Sequence, residues 1–213
     1  YYFHIRSNCG SGSDSSWVTI SFTTPATPPV NDLCSGAIAL TPGGVFADQA
    51  ISGTLYGGTT TTGITPSCQS NSKSDVWYSV QVPASGSITI ETQVASSNSI
   101  TDSVVAAFSG TCGNLTQIGC DDDGGPTGAN SLMSILSLTG LTPNDIIYVG
   151  VWKYSSVPTS TVRDFMISAY DASLASNTFE NAKFIFYPNP VKDVLNISNA
   201  TTISKIQVIN FLG

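Results

Sequence analysis

The sequence predicts an all-β fold, a jelly-roll-like β-sandwich flanked by partial β-sandwich modules. Charged residues make up only 10% of the 213, against roughly 25% in an average domain. Thr, Ser, Gly and Val are abundant instead, which favours strands and turns over helices. No stretch carries the periodicity of an amphipathic helix, whereas short alternating runs bounded by Gly, Pro, Asn and Asp recur along the chain. Apolar runs such as Ile146–Trp152 are far too short to span a bilayer.

Taken in order, residues 1–24 read as two strands, Tyr1–Ser7 and Trp17–Thr24, around a Gly/Ser turn. Tyr2, His4 and Arg6 alternate with Phe3 and Ile5, the pattern of a half-buried strand. Residues 25–30, Pro-Ala-Thr-Pro-Pro-Val, form a linker stiffened by proline. Residues 31–171 are long enough for a proper core. Their strand candidates are Ala37–Leu40, Asp75–Val82, Gly86–Thr92, Ser103–Phe108, Leu115–Gly119, Ser134–Leu138, Ile146–Trp152 and Asp164–Tyr170. Eight short strands with turns between them point to a sandwich. Within Asp75–Val82, Val76, Tyr78 and Val80 share one face and Trp77 takes the other. Trp77 and Trp152 read as packing residues before ligand platforms.

Residues 172–182 form a second linker, and residues 183–213 open another module. Pro188 and Pro190 bracket Asn189 and enforce an extended or turn path. Val194, Asn196 and Ser198 alternate with Leu195 and Ile197 as in a strand. A second strand is expected around Ile206–Phe211, with a turn at Gly213. Two such strands cannot bury a core alone, so this segment reads as the beginning of a domain.

Tyr187-Pro188-Asn189-Pro190, then Leu195-Asn196-Ile197, then Val208 to Gly213 resemble in order and spacing the opening of the type A C-terminal sorting domain of type IX secretion cargo in Bacteroidetes. The resemblance implies export across the outer membrane to the cell surface or medium. It also implies a partner, an outer-membrane β-barrel component of the secretion machinery. Residues 1–24 resemble the last hairpin of a fibronectin type III domain, in the Tyr-Tyr strand, the Cys9-Gly10 turn, Trp17 and the terminal Ser-Phe-Thr-Thr. Residues 31–171 resemble the bacterial pre-peptidase C-terminal type of β-sandwich. Asn31–Leu40, Asp75–Val80, Thr101–Cys112, Cys120–Gly125 and Asp145–Val151 carry that likeness.

Five cysteines occur, with no Cys-x-x-Cys and with His4 the only histidine, so zinc is disfavoured. Export favours disulfides. By position Cys112 is expected to pair with Cys120 and Cys34 with Cys68, leaving Cys9 with a partner upstream or as a free thiol.

Asp121-Asp122-Asp123-Gly124-Gly125 is the chemically suggestive cluster. Hard oxygen ligands on a flexible loop suit Ca²⁺, although the spacing is not that of an EF-hand. In the resembling sandwiches an Asp opening a preceding strand lies near such a loop, which corresponds to Asp102. The calcium set is therefore Asp102, Asp121, Asp122 and Asp123; the alternative is a solvated acidic turn whose glycines supply positive φ. Asp32 and Asp75 read as turn or strand-start residues. Asp102-Ser103-Val104 also resembles a bacterial O-glycosylation motif in which Ser103 would carry the sugar. Asn114, Asn196 and Asn199 stand in acceptor motifs of eukaryotic type, which mean little in a bacterium.

Catalysis finds little support within these residues, and an enzyme domain upstream is compatible with either reading below. There is no Gly-x-Ser-x-Gly, His-Glu-x-x-His or Gly-rich phosphate loop, and Glu91 and Glu180 are the only glutamates. A net charge of −7 with scattered basic residues disfavours nucleic acid. Two classes of function remain: a non-catalytic region carrying a secretion address, or a module that binds surface glycans or a protein. Solvent-exposed aromatics on one sandwich face would favour the second; the candidates are Tyr56, Tyr78, Trp152 and Tyr154, with Trp152-Lys153-Tyr154 as the leading cluster.

Overall fold

The computed structural model describes residues 1–8, 10–125, 132–175, 185–188, 190 and 192–198. Two compact units, Tyr1–Ala175 and Ser176–Gly213, divide the chain. The strands are β1 Tyr2–Ile5, β2 Val18–Ser21, β3 Ile38–Leu40, β4 Ile51–Thr54, β5 Ser72–Gln81, β6 Ile88–Val94, β7 Ser103–Thr111, β8 Asn114–Asp121, β9 Ile135–Leu138, β10 Ile146–Tyr154, β11 Asp164–Tyr170, β12 Ile185–Tyr187 and β13 Asn196–Ser198. All eight strands expected between residues 31 and 171 form. The additional strand, β4, escapes a periodicity reading because Ile-Ser-Gly-Thr is short and contains a glycine. Among the described residues the only helical segments are single 3-10 turns, and no helix is long and apolar enough to cross a membrane.

The sandwich consists of a five-stranded sheet, β3-β5-β10-β7-β8, and a four-stranded sheet, β4-β11-β6-β9. Every pairing is antiparallel except β3 with β5. Except for the β7–β8 hairpin, successive strands from β3 to β11 switch sheets. Alternate residues of each strand point inward. Val76, Tyr78 and Val80 of β5, Val149 and Val151 of β10, and Ile90 and Ile167 of the facing sheet all fall in one buried core.

The outer face of the five-stranded sheet is buried as well. Trp77, Val104, Ala106, Phe108 and Trp152 form a second core there. The Trp77 ring lies 5.5 Å from Phe108 and 5.9 Å from Trp152 between centroids. Gly150 makes room for it, since a Cβ there would stand 2.2 Å from the Trp152 indole. The cover is the segment between β4 and β5, which brings Ile64, together with the stretch before β3, which brings Cys34 and Ala37. Asp32 accepts hydrogen bonds from the backbone N–H of Thr59 (2.6 Å) and from its hydroxyl (3.0 Å). Asp75, fully buried, does the same for Thr61 and also accepts from Trp77 Nε1 at 2.6 Å. The two aspartates read as local turn residues are thus clamps on a strap.

The disulfides complete the strap, with a pairing other than the one expected. Cys34 bonds Cys112 and Cys68 bonds Cys120. The local pair fails because both of its cysteines lie on one hairpin. Cys112 sits in the β7–β8 turn, while Cys120 pairs across to Ala106 deep in the ladder, about 20 Å farther along at 3.3 Å per residue. By the chain-entropy estimate each native bond stabilises the fold by about 4 kcal/mol. Cys9 lies outside the described residues.

In the first unit, β1 and β2 form an antiparallel hairpin. In the second, β12 pairs with β13, and the Tyr187–Pro188 peptide is cis. The strand expected around Ile206–Phe211, together with Asn189 and Gly213, lies outside the described residues.

Asp75→Ala strands the Thr61 and Trp77 donors, so the change should cost about 2–4 kcal/mol. Urea unfolding measures the cost, and a red shift of native tryptophan emission is the expected sign that the strap has loosened over Trp77.

Candidate functional site

The acidic loop leaves the end of β8. Asp102, just before β7, and Asp122 and Asp123, just after β8, bring carboxylate oxygens within 4.8 Å of one another. Antiparallel β7–β8 pairing causes this, because it sets the start of one strand beside the end of the other: Val105 lies opposite Asp121. Asp121 takes a different role. Its Oδ1 accepts hydrogen bonds from the N–H groups of Gly124 (3.0 Å) and Ile135 (2.9 Å), so it closes the loop. Gly124 and Gly125 are not at positive φ. They give room: a Cβ on Gly125 would stand 2.3 Å from the Met133 carbonyl oxygen.

Asp122 Oδ2 accepts from Gln69 Nε2 at 3.0 Å. Asp102 Oδ1 and Asp122 Oδ1 are buried and have no hydrogen-bond partner among the described residues. Beneath the loop, the fully buried hydroxyls of Thr92, Ser103 and Ser134 join the two sheets. Ser134 Oγ also donates to the Asp122 carbonyl at 3.0 Å, which ties the loop to the core. The sequence does not link Gln69, Ser134 and Lys153 to the acidic loop, because they come from three distant segments with no shared motif.

Ser103, the residue the glycosylation motif singled out, is fully buried and hydrogen-bonded, so it is no acceptor for a sugar. Trp152 is 1% exposed and belongs to the outer core, with half-buried Tyr154 packed against it. They form no exposed platform. Of the other aromatics considered, Tyr78 is buried and Tyr56 carries the Arg163 guanidinium over its ring at 5.0 Å. His4 is exposed and shares a 3.0 Å hydrogen bond with Thr19.

Burial, with repulsion from Asp123 and Asp122, pushes the Asp102 carboxyl up to about 6. Lys153 opposes the shift weakly, because its ammonium donates to the Tyr154 carbonyl and Ser156 hydroxyl. Burial and its two acidic neighbours also raise Asp123. Unfolded Asp titrates near 3.8, so between about pH 4 and 6 the folded state holds the extra proton. Stability therefore falls as pH rises through that window and levels off above it. Melting curves from pH 4 to 7 in chelator should show this fall, and Asp102→Asn should flatten it.

Residues 185–213 match the family described as the secretion system C-terminal sorting domain. No curated protein matches the chain. Tyr187, Pro188, Asn189, Pro190, Leu195 and Gly213 all lie within the matched segment. Tyr187 and Leu195 are exposed, and the Asn196 side chain donates to the Tyr187 carbonyl at 3.3 Å. The chain carries a type IX secretion C-terminal sorting signal, which addresses it for export to the cell surface or beyond and engages the secretion machinery.

Proposed function

We propose that this chain is the non-catalytic C-terminal region of an exported surface or secreted protein, an accessory β-sandwich followed by its sorting signal. The sorting-domain match carries the reading. The burial of Trp152 supports it over the alternative of a glycan- or protein-binding module, which would display such a side chain. The sandwich at residues 31–171 is taken as pre-peptidase C-terminal-like. The β1–β2 hairpin is taken as the closing pair of a fibronectin type III-like module. One hairpin face bears Tyr1, Phe3, Ile5, Val18, Ile20 and Phe22, all exposed. The other is knit by the Arg6–Asp14 ion pair and the Arg6–Trp17 stack. One apolar and one polar face is the pattern of a sandwich sheet. The partner is an outer-membrane β-barrel component of the secretion machinery, which would read exposed strand edges.

A Ca²⁺ site formed by Asp102, Asp122 and Asp123 is part of the proposal, and the unpartnered buried oxygens of Asp102 and Asp122 favour it. Three carboxylates in partly buried surroundings repel one another, and a hard dication would offset both repulsion and desolvation. Water would supply the remaining ligands.

Deleting residues 184–213 should hold the protein in the periplasm, read by protection from protease added to intact cells; normal surface display would refute the address. Millimolar calcium should raise the melting temperature relative to chelator, because it binds the folded state. Asp122→Asn should abolish that rise, whereas Asp14→Asn should leave it intact. Equal melting temperatures with and without calcium would leave a solvated acidic turn.

A further inference from the structure

We propose that Cys112 and Cys120 bond to each other first, and that the native disulfides arise from that bond by thiol–disulfide exchange. The native pairs interlace: of the four bonded cysteines in chain order, the first bonds the third and the second bonds the fourth, across 78 and 52 residues. Cys112 and Cys120 are only eight positions apart. Loop closure in an unfolded chain falls off as about the three-halves power of separation. The local bond is therefore favoured roughly 15-fold over the 52-residue pair and 30-fold over the 78-residue pair. That bond cannot survive in the fold, since the β7–β8 ladder holds Cys120 opposite Ala106 and far from the turn.

The exchange conserves atoms and electrons. The Cys34 thiolate attacks Cys112 Sγ, the Cys34–Cys112 bond forms, the Cys112–Cys120 bond breaks, and Cys120 leaves as a thiolate. Attack by Cys68 on Cys120 instead forms Cys68–Cys120 and frees Cys112. Either way the two remaining thiols are a native pair. One further two-electron oxidation by a disulfide such as oxidised glutathione, itself reduced to two thiols, closes that pair. Zipping of β7 onto β8 pulls the local bond's two sulfurs apart and drives the exchange forward. A dithiol enzyme of the exporting compartment would accelerate this step.

The test is oxidative folding of the full 213-residue chain carrying Cys9→Ser, reduced and unfolded, then diluted into a glutathione redox buffer. Samples are alkylated at intervals and mapped after chymotryptic cleavage, which at Leu115 cuts inside the Cys112–Cys120 loop. The Cys112–Cys120 species should exceed each native pair at least tenfold at the earliest times and then decay as both native pairs rise. Cys34→Ser/Cys68→Ser should retain it. Isolated single-disulfide Cys112–Cys120 chain, given only trace glutathione, should convert to Cys34–Cys112 or Cys68–Cys120. Native pairs rising from the start with no Cys112–Cys120 peptide would overturn the proposal, because folding would then precede oxidation. Failure of the isolated species to convert would overturn it equally.

Discussion

The constraint on which the rest of the sandwich depends is the need to bury Trp77 and Trp152 on the outer face of the five-stranded sheet. A sheet in a two-layer sandwich normally turns that face to water. Here it carries two indoles and Phe108, and leaving them wet would forfeit about 1.5–3 kcal/mol for each large side chain. Covering them requires backbone outside the sheets, and that backbone brings polar groups that must be satisfied. Asp32 and Asp75 meet the need by taking the N–H and hydroxyl of Thr59 and Thr61. Burial raises the Asp75 carboxyl, while bonds from Thr61 and Trp77 oppose the rise.

The same strap explains where the covalent links go. Cys34 and Cys120 both pack against the outer aromatic core, so the two disulfides pin the cover to the turn and edge of the β7–β8 hairpin. A chain this poor in charge has few ion pairs available: Arg6–Asp14 and Arg163–Asp164 are those among the described residues, and exposed pairs contribute little. Cross-links compatible with an exported location supply what electrostatics does not.

The acidic loop is arranged by the inner part of the fold. Asp102 enters β7 and Asp122 leaves β8, so the antiparallel ladder alone brings them close. Ser134 then couples the loop's backbone to the hydroxyl cluster that joins the sheets. Repulsion within the loop is therefore felt by the sandwich, and any ligand that relieves it would stiffen the junction between the two layers.

Alternating runs determined the strands, because a side-chain period of two is written directly in the order of residues: Val76, Tyr78 and Val80 face the core as their spacing requires. The sorting segment was legible for a similar reason, since Tyr187-Pro188-Asn189-Pro190 and the strand after it are local in the chain. What only the tertiary structure decided involved partners distant in sequence. The disulfides follow strand register, which places Cys112 at a turn and Cys120 well inside the ladder, so proximity in sequence misled. Asp121 has the same charge as its neighbours, yet its direction is set by the N–H groups of Gly124 and Ile135. Ser103 sits in a surface-like motif, but it opens an interior strand, β7, and is buried against Thr92 and Ser134. Local pattern specifies which face a residue takes; what covers that face depends on long-range packing, and here the cover is built from the stretch before β3 and the segment between β4 and β5, which the sequence did not mark.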